Sequence, residues 1–285
     1  MINSGILKED EFVYFLDGKK AKELSPNLRS MMERLFGIVD PEKKVSCKKT
    51  QNYIKPDIII KHNKVESAVS IKHGRSQVLH EEQIKPFILF LRANGISSRT
   101  QQTILLFQYG DGTNDGTGKK RYCSDDVRAM MKERIKEANE ELNANREFVE
   151  KFVDRIMFDG VDPEARCADA FYYGDVNHGI VVTRHQVHKH LNKKNWDHFT
   201  SLHVGPISLT PAARYVDRPI VNEKKRHIIE CYWTKFAADM EYISQRYNFY
   251  SSPYWQKKMW FGQRPSVPRY QASPAILQSL FLNKI

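Results

Sequence analysis

The chain has 285 residues, 41% hydrophobic and 28% charged, with a formal net charge of +11. That is enough chain for one large domain or two ordinary ones with a real core, and no apolar run approaches the ~20 residues needed to cross a bilayer. The opening MINSGILKEDEFVYF lacks the basic-then-apolar pattern of a secretory leader, so a cytoplasmic protein without membrane contact is the expectation. The four cysteines, Cys47, Cys123, Cys167 and Cys231, are widely spaced with no C-x-x-C pair, which argues against a disulfide framework or a cysteine zinc site and for reduced thiols. Residues 161–285 hold 17 Lys/Arg against 10 Asp/Glu, so most of the basic excess lies in the shorter C-terminal part. A basic surface attracts polyanions whatever their sequence.

In chain order, LSPNLRSMMERLFGI reads as a helix with Ser25 as N-cap, Pro26 in the first turn, Gly37 as the stop, and Leu28, Met31, Met32 and Leu35 on one apolar face. Two strands follow, about 54–61 and 66–72, joined by the short polar turn His62-Asn63-Lys64 as an antiparallel hairpin. Residues 78–93 read as a helix, with Pro86 forcing a kink or a fresh start near Lys85. TILLFQY reads as a central strand, GDGTNDGTGKKR as a turn-rich loop, and the stretch from Ser124, the candidate cap, to Phe158 as helix. After Gly160 aromatics, histidines and prolines become frequent, and a soft boundary falls there. HGIVVTRHQVHKHL passes from strand to helix, LHVGPISLTPAARY is strand and turn, and EKKRHIIECYWTKFAADMEYISQRY is read as helix with Tyr232, Trp233 and Phe236 in the core.

The chemistry concentrates on the hairpin. Asp57 precedes Ile58, Ile59 and Ile60, and Lys72 closes the next apolar run; charges at the ends of buried strands are costly unless something pairs with them. Ser70 and Lys72 point to one face of their strand, and the hairpin brings Asp57 beside them. An aspartate and a lysine on one face suit metal-assisted phosphodiester hydrolysis. Asp57 would hold Mg²⁺ with the Ile71 carbonyl and waters, and Lys72 would stabilise the developing anion or orient the attacking water.

Pro56-Asp57 followed by Ser70-Ile71-Lys72 resembles the PD-(D/E)XK nuclease superfamily, over about residues 25–110. The resemblance implies an α/β fold with a restriction-endonuclease-like core of helix, β-hairpin, helix, central strand and helix in residues 1–160. Residues 161–285 would form a mixed α+β, basic region for DNA contact or dimerisation. It further implies an endodeoxyribonuclease of type II restriction-like kind, dependent on Mg²⁺ with Mn²⁺ as a substitute, acting on double-stranded DNA as a homodimer. The sequence departs from the pattern where Ser70 stands in place of an acid. A glutamate from the next helix, Glu81 or Glu82, is the expected replacement, as in the subset of restriction enzymes with S-x-K on the strand and a glutamate on the helix; Glu33 is a further candidate for an outer metal contact, and Gln77 and His80 for positioning the scissile phosphate. The missing acid keeps open a catalytically inactive DNA-binding protein on the same core, and a structure-selective, junction-resolving nuclease is a further alternative.

Other basic groups extend the expected DNA surface. Lys119, Lys120 and Arg121 close the glycine-rich loop, which does not match a phosphate loop because no Ser or Thr follows Lys119. Arg184, Lys189, Lys193 and Lys194 accompany His185, His188, His190 and His198; their charges would repel zinc, so a DNA-facing surface is the better functional reading. Tyr250, Tyr254, Trp255 and Trp260, interleaved with Lys257, Lys258 and Arg264, could stack on bases or on a sister subunit, or simply pack.

Overall fold

The computed structural model describes residues 4–50, 55–74, 77–162, 164–192, 196, 200–218 and 221–246. Residues 193–194, 198 and 247–285 lie outside them, and with them Lys193, Lys194, His198 and the aromatic and basic residues from Tyr250 to Arg264. The chain runs α1 (Ser4–Leu16), α2 (Pro26–Phe36), β1 (Val45–Lys49), β2 (Ile58–His62), β3 (Val65–Lys72), β4 (Val78–Gln83), α3 (Ile84–Ala93), α4 (Ser98–Tyr109), α5 (Ser124–Met130), α6 (Lys132–Ala144) and α7 (Arg146–Asp154). After a π-helical turn at Arg155–Asp159 come β5 (Ala170–Gly174), β6 (Gly179–Thr183), α8 (Arg184–Leu191), β7 (His203–Val204), β8 (Ile207–Pro211), β9 (Ile228–Trp233) and α9 (Phe236–Arg246). The fold is mixed α/β with two sheets, and no helix among the described residues is long and apolar enough to cross a membrane.

Two compact units divide the chain, and both are discontinuous rather than separated by a single cut near residue 160. The first comprises residues 1–76, 154–193 and 235–270, the second 77–153, 194–234 and 271–285. In the first unit the sheet order is β1-β2-β3-β5-β6. The neighbours β1, β2 and β3 form an antiparallel meander, β5 joins β3 in parallel, and β6 closes the edge antiparallel. Helix α2 begins as its sequence dictates: the Ser25 side chain accepts from the Leu28 N–H, Pro26 needs no N–H there, and Gly37 ends the helix at φ +77°. Its apolar stripe, Leu28, Met31, Met32 and Leu35, joins Phe12 and Leu16 of α1 against Val45, Ile58, Ile60, Val69, Ala170 and Tyr172 of the sheet. Alternation along the strands sends the other set of side chains to the opposite face. There Phe171 meets Phe158 at 6.3 Å and Phe236 at 5.7 Å between ring centroids.

The second unit carries an antiparallel sheet of order β4-β9-β8-β7, and it corrects three expectations. Residues 78–83 are strand β4, not the start of a helix; the fresh start at Pro86 is real, with α3 opening at Ile84 so that the proline falls in the first turn. TILLFQY lies in helix α4. Ser97 caps it by accepting from the Thr100 N–H, Gly110 ends it in the left-handed region at φ +59°, and the buried Gln101, Thr103 and Gln108 widen its enclosed face, with Arg99 and Gln102 exposed on the other. IIECYW is strand β9, with Ile229, Cys231 and Trp233 turned inward in strict alternation; the segment has a 3-10 turn at Glu223–Lys225 before the strand and becomes α-helical from Phe236. The stretch 124–158 is helical but broken at Met131 and Asn145. Cys123, not Ser124, caps its first piece through Sγ, and Asn145 caps the third by accepting from the Glu147 N–H at 2.9 Å. All four cysteines are unbridged.

The end of α4 is clamped by Arg214, a buried guanidinium that donates to the Tyr122 carbonyl at 2.9 Å and to the Phe107 carbonyl. A Cβ at Gly110 would stand 1.8 Å from Arg214 Nη1. Gly110→Ala therefore combines a disfavoured backbone with displacement of the clamp. It is expected to lower stability by about 2 kcal/mol or more in urea unfolding, and an unchanged midpoint would contradict this account.

Candidate active site at the hairpin end

The β2–β3 hairpin turns through Asn63 at φ +56° and pairs Ile58 with Val69, which sets Asp57 across from Ser70. The Asp57 backbone continues the ladder, its N–H donating to the Val69 carbonyl at 3.0 Å and its carbonyl accepting from the Thr50 N–H at 3.0 Å. Its side chain turns back on the partner strand. Oδ2 accepts from the Ser70 hydroxyl at 3.1 Å and from the Ile71 N–H. The N–H and C=O of one strand residue leave from the same edge, so the Ile71 carbonyl emerges on the side of β3 that faces Asp57. Oδ1 makes no hydrogen bond among the described residues. On the other edge Ser70 and Lys72 pair with Phe171 and Tyr173 of β5 and share their face.

Two lysines border this carboxylate. Lys55 is half-buried; its Nζ donates to the Ile156 carbonyl and lies 5.7 Å above the Phe171 ring. Burial pulls the Lys55 ammonium down to about 8; Asp57 resists the shift, Lys72 adds to it by repulsion, and Asp159 resists it. Burial likewise raises the Asp57 carboxyl above its ordinary range, against Lys55, the Ile71 N–H, Ser70 and Lys49. A second carboxylate in electrostatic contact with Asp57 is Glu9 of α1, which pairs with Lys49 Nζ at 3.0 Å; burial raises its pKa, Lys49 lowers it and the Asp57 charge raises it further.

Behind Lys55 sits an ion network. Arg184 holds Asp154 at 2.7 Å and grips Asp159 with both terminal nitrogens, while His188 Nε2 meets the other Asp154 oxygen at 2.8 Å. Burial raises Asp159, but the Arg184 guanidinium and the Cys167 thiol outweigh it and hold the carboxyl low. Arg184 thus ties the π-helical turn to α8. Breaking such a partly buried network leaves uncompensated carboxylates, so Arg184→Ala is expected to cost about 3 kcal/mol in denaturant unfolding. Wild-type stability in that variant would place Arg184 on a solvated face instead.

The remaining predicted residues are spread more widely. Glu81 and Glu82 lie on β4 of the second unit, not on a helix following the hairpin, and strand alternation sends them to opposite faces. Glu81 ion-pairs with Lys225 at 3.1 Å, opposite Glu230 of β9; the Glu82 side chain is buried, with His80 Nε2 at 3.9 Å. Gln77 leads into the same strand, its carbonyl accepting from the Trp233 N–H. Glu33 is exposed on α2. Lys119 and Lys120 are exposed, the latter 4.7 Å above the Tyr122 ring, whereas Arg121 is drawn into the loop by Asp111 at 3.0 Å and the Gly116 carbonyl at 3.0 Å. Lys189 is half-buried on α8. Among the described residues no group of three or more His, Cys, Asp or Glu side chains is arranged to hold a metal ion. A Mg²⁺ ion needs only oxygen donors, however, and commonly keeps several waters beside one or two carboxylates; Asp57 Oδ1 and the Ile71 carbonyl meet that requirement.

No protein-family model matches the chain, and no curated protein or solved structure matches it.

Lys55 and Glu9 escaped the sequence reading. Lys55 stood directly before Pro56-Asp57, but nothing local shows that its amine reaches a carbonyl 101 positions away. Glu230 is a separate consequence of the β4–β9 register: burial raises its carboxyl, Glu81 across the strand adds to the shift and Lys225 opposes it. A carboxyl raised on folding favours the native state below its unfolded pKa and loses that contribution as pH rises through the folded value. Glu230→Gln is therefore expected to raise the melting temperature at pH 7 and to leave it nearly unchanged at pH 4. A lower melting temperature at pH 7 would count against the repulsive pairing.

Proposed function

We propose that the chain is a metal-dependent endonuclease acting on double-stranded DNA, with its reactive centre at the end of the β2–β3 hairpin. The carrying observation is the convergence of the Asp57 carboxylate, the Ser70 hydroxyl, the Ile71 edge and Lys72 where β3 meets the parallel strand β5. The architecture supports the resemblance in a different register from the one expected. Helix, hairpin and parallel strand run α2, β2–β3 and β5, with the π-helical turn at Arg155–Asp159 before β5 and residues 77–153 interposed.

Asp57 and the Ile71 carbonyl would hold Mg²⁺, or Mn²⁺ in its place. A divalent ion bound there supplies a water of lowered pKa and neutralises charge on the phosphate. Ser70 and the Ile71 N–H fix the carboxylate orientation, and Lys72, on the Ser70 face, is placed to stabilise negative charge on the phosphate oxygens. The net charge of +11 supports a polyanionic substrate. Cutting both strands of a duplex calls for two centres, which a homodimer would provide.

A second reading has its own observation. Asp57 is hydrogen-bonded at the hairpin end with Lys55 beside it, and Glu81 and Glu82 are engaged on β4 of the other unit. That balance favours anion binding and describes a DNA-binding protein that has lost catalysis. Supercoiled plasmid and linear duplex, incubated with Mg²⁺, Mn²⁺ or EDTA, distinguish the two. The nuclease reading expects metal-dependent nicking or linearisation by wild type, slowed about 100-fold or more by Asp57→Asn and by Lys72→Ala. Salt-sensitive DNA binding by wild type without cutting under either metal would overturn it in favour of the binder. Preferential cutting of a four-way junction over linear duplex would make the enzyme structure-selective.

A further inference from the structure

We propose that Lys55 is a tethered cation that competes with the divalent ion for Asp57, so that the free site takes metal weakly. The inference rests on the nuclease reading and adds regulation of the same centre. Three observations carry it. The Lys55 amine is bound by one backbone carbonyl, that of Ile156, and no carboxylate oxygen lies at ion-pair distance from it among the described residues. Its location is fixed by the Phe171 ring beneath it; Phe171 is the β5 partner of Ser70, whose hydroxyl holds Asp57, so the ammonium and the carboxylate share one sheet face at one level. Asp159, the acid behind it, is gripped by Arg184 and attracts the amine less than Asp57 does. Lys55 is thus a partly desolvated positive charge whose strongest attraction is to Asp57, with Lys72 repelling it from the other side of the same balance.

A second cation arriving at Asp57 meets that field at short range, where solvent screens it poorly. A phosphate group entering beside Lys72 would counter the repulsion, so metal and nucleic acid would each favour the other's binding, a coupling that is reciprocal by linkage. Lysine at position 55 then holds the centre in a low-metal state until substrate is present.

Mn²⁺ titrated into the full chain without DNA, followed by paramagnetic resonance of the free ion, reads this directly and needs no turnover. Lys55→Met is expected to bind Mn²⁺ about tenfold more tightly than wild type. Lys55→Arg, which keeps the charge, should stay close to wild type, and adding Asp57→Asn to Lys55→Met should abolish the gain. Lys55→Gln provides the same neutralisation should the methionine variant fail to fold. Equal or weaker Mn²⁺ binding by the neutral variants overturns the proposal, because a purely structural lysine would loosen Asp57 on removal. Tighter binding that depends on Asp57, in a protein that cuts no DNA with any metal, would sustain Lys55 as the competitor while sinking the nuclease reading.

Discussion

The hydrogen bonds from the Ser70 hydroxyl and the Ile71 N–H to one oxygen of Asp57 are the constraint on which the site depends. They fold a carboxylate back across its own hairpin and fix which oxygen faces outward. Charge at a strand end is costly, and here it is offset by local donors and by longer-range attraction from Lys55 and Lys49. Ser70 therefore has a structural part in holding Asp57. It serves as the second point of a clamp that a carboxylate at position 70 could not supply, because two adjacent anions would repel.

Several cations surround the Asp57 region, and most of them have carboxylate partners of their own, Lys49 with Glu9 and Asp10. Lys55, Lys72 and Lys49 all act on the Asp57 region, and Arg184 commits its charge to Asp154 and Asp159 behind it. Arg184, read from sequence as a DNA contact, therefore has a structural task.

Local signals were legible wherever a cap or a turn enforced them. Ser25, Pro26 and Gly37 framed α2, and Asn63 marked the hairpin that brings Asp57 to Ser70. Non-local structure was harder to read. The segment Val78–Gln83 has no clean period of its own and is a strand because β9, about 150 residues later, pairs with it. TILLF looked like a strand by its apolar and β-branched residues, yet Ser97 and Gly110 bracket it as a capped helix of twelve residues. The alternation in HIIECYW was readable but was absorbed into its helix-favouring flanks. The strand beside β3 was expected soon after the hairpin and comes instead at Ala170, and Glu81 and Glu82 fall on a strand, β4, where a helix was expected.

The interleaving of the two units has a kinetic consequence. Strand β3 pairs with a strand roughly 100 positions downstream, and β4 with one roughly 150 downstream. During synthesis neither sheet can be completed by the residues that emerge beside it: the meander β1–β2–β3 must persist with an open hydrogen-bonding edge until residue 174 has been made, and β4 until residue 233. The β2–β3 hairpin therefore exists as a partial scaffold well before its parallel neighbour arrives, and loop-closure entropy makes that arrival a slow step. A chain truncated before Ala170 would carry every letter of the motif and still lack the surface that gives those letters a common face.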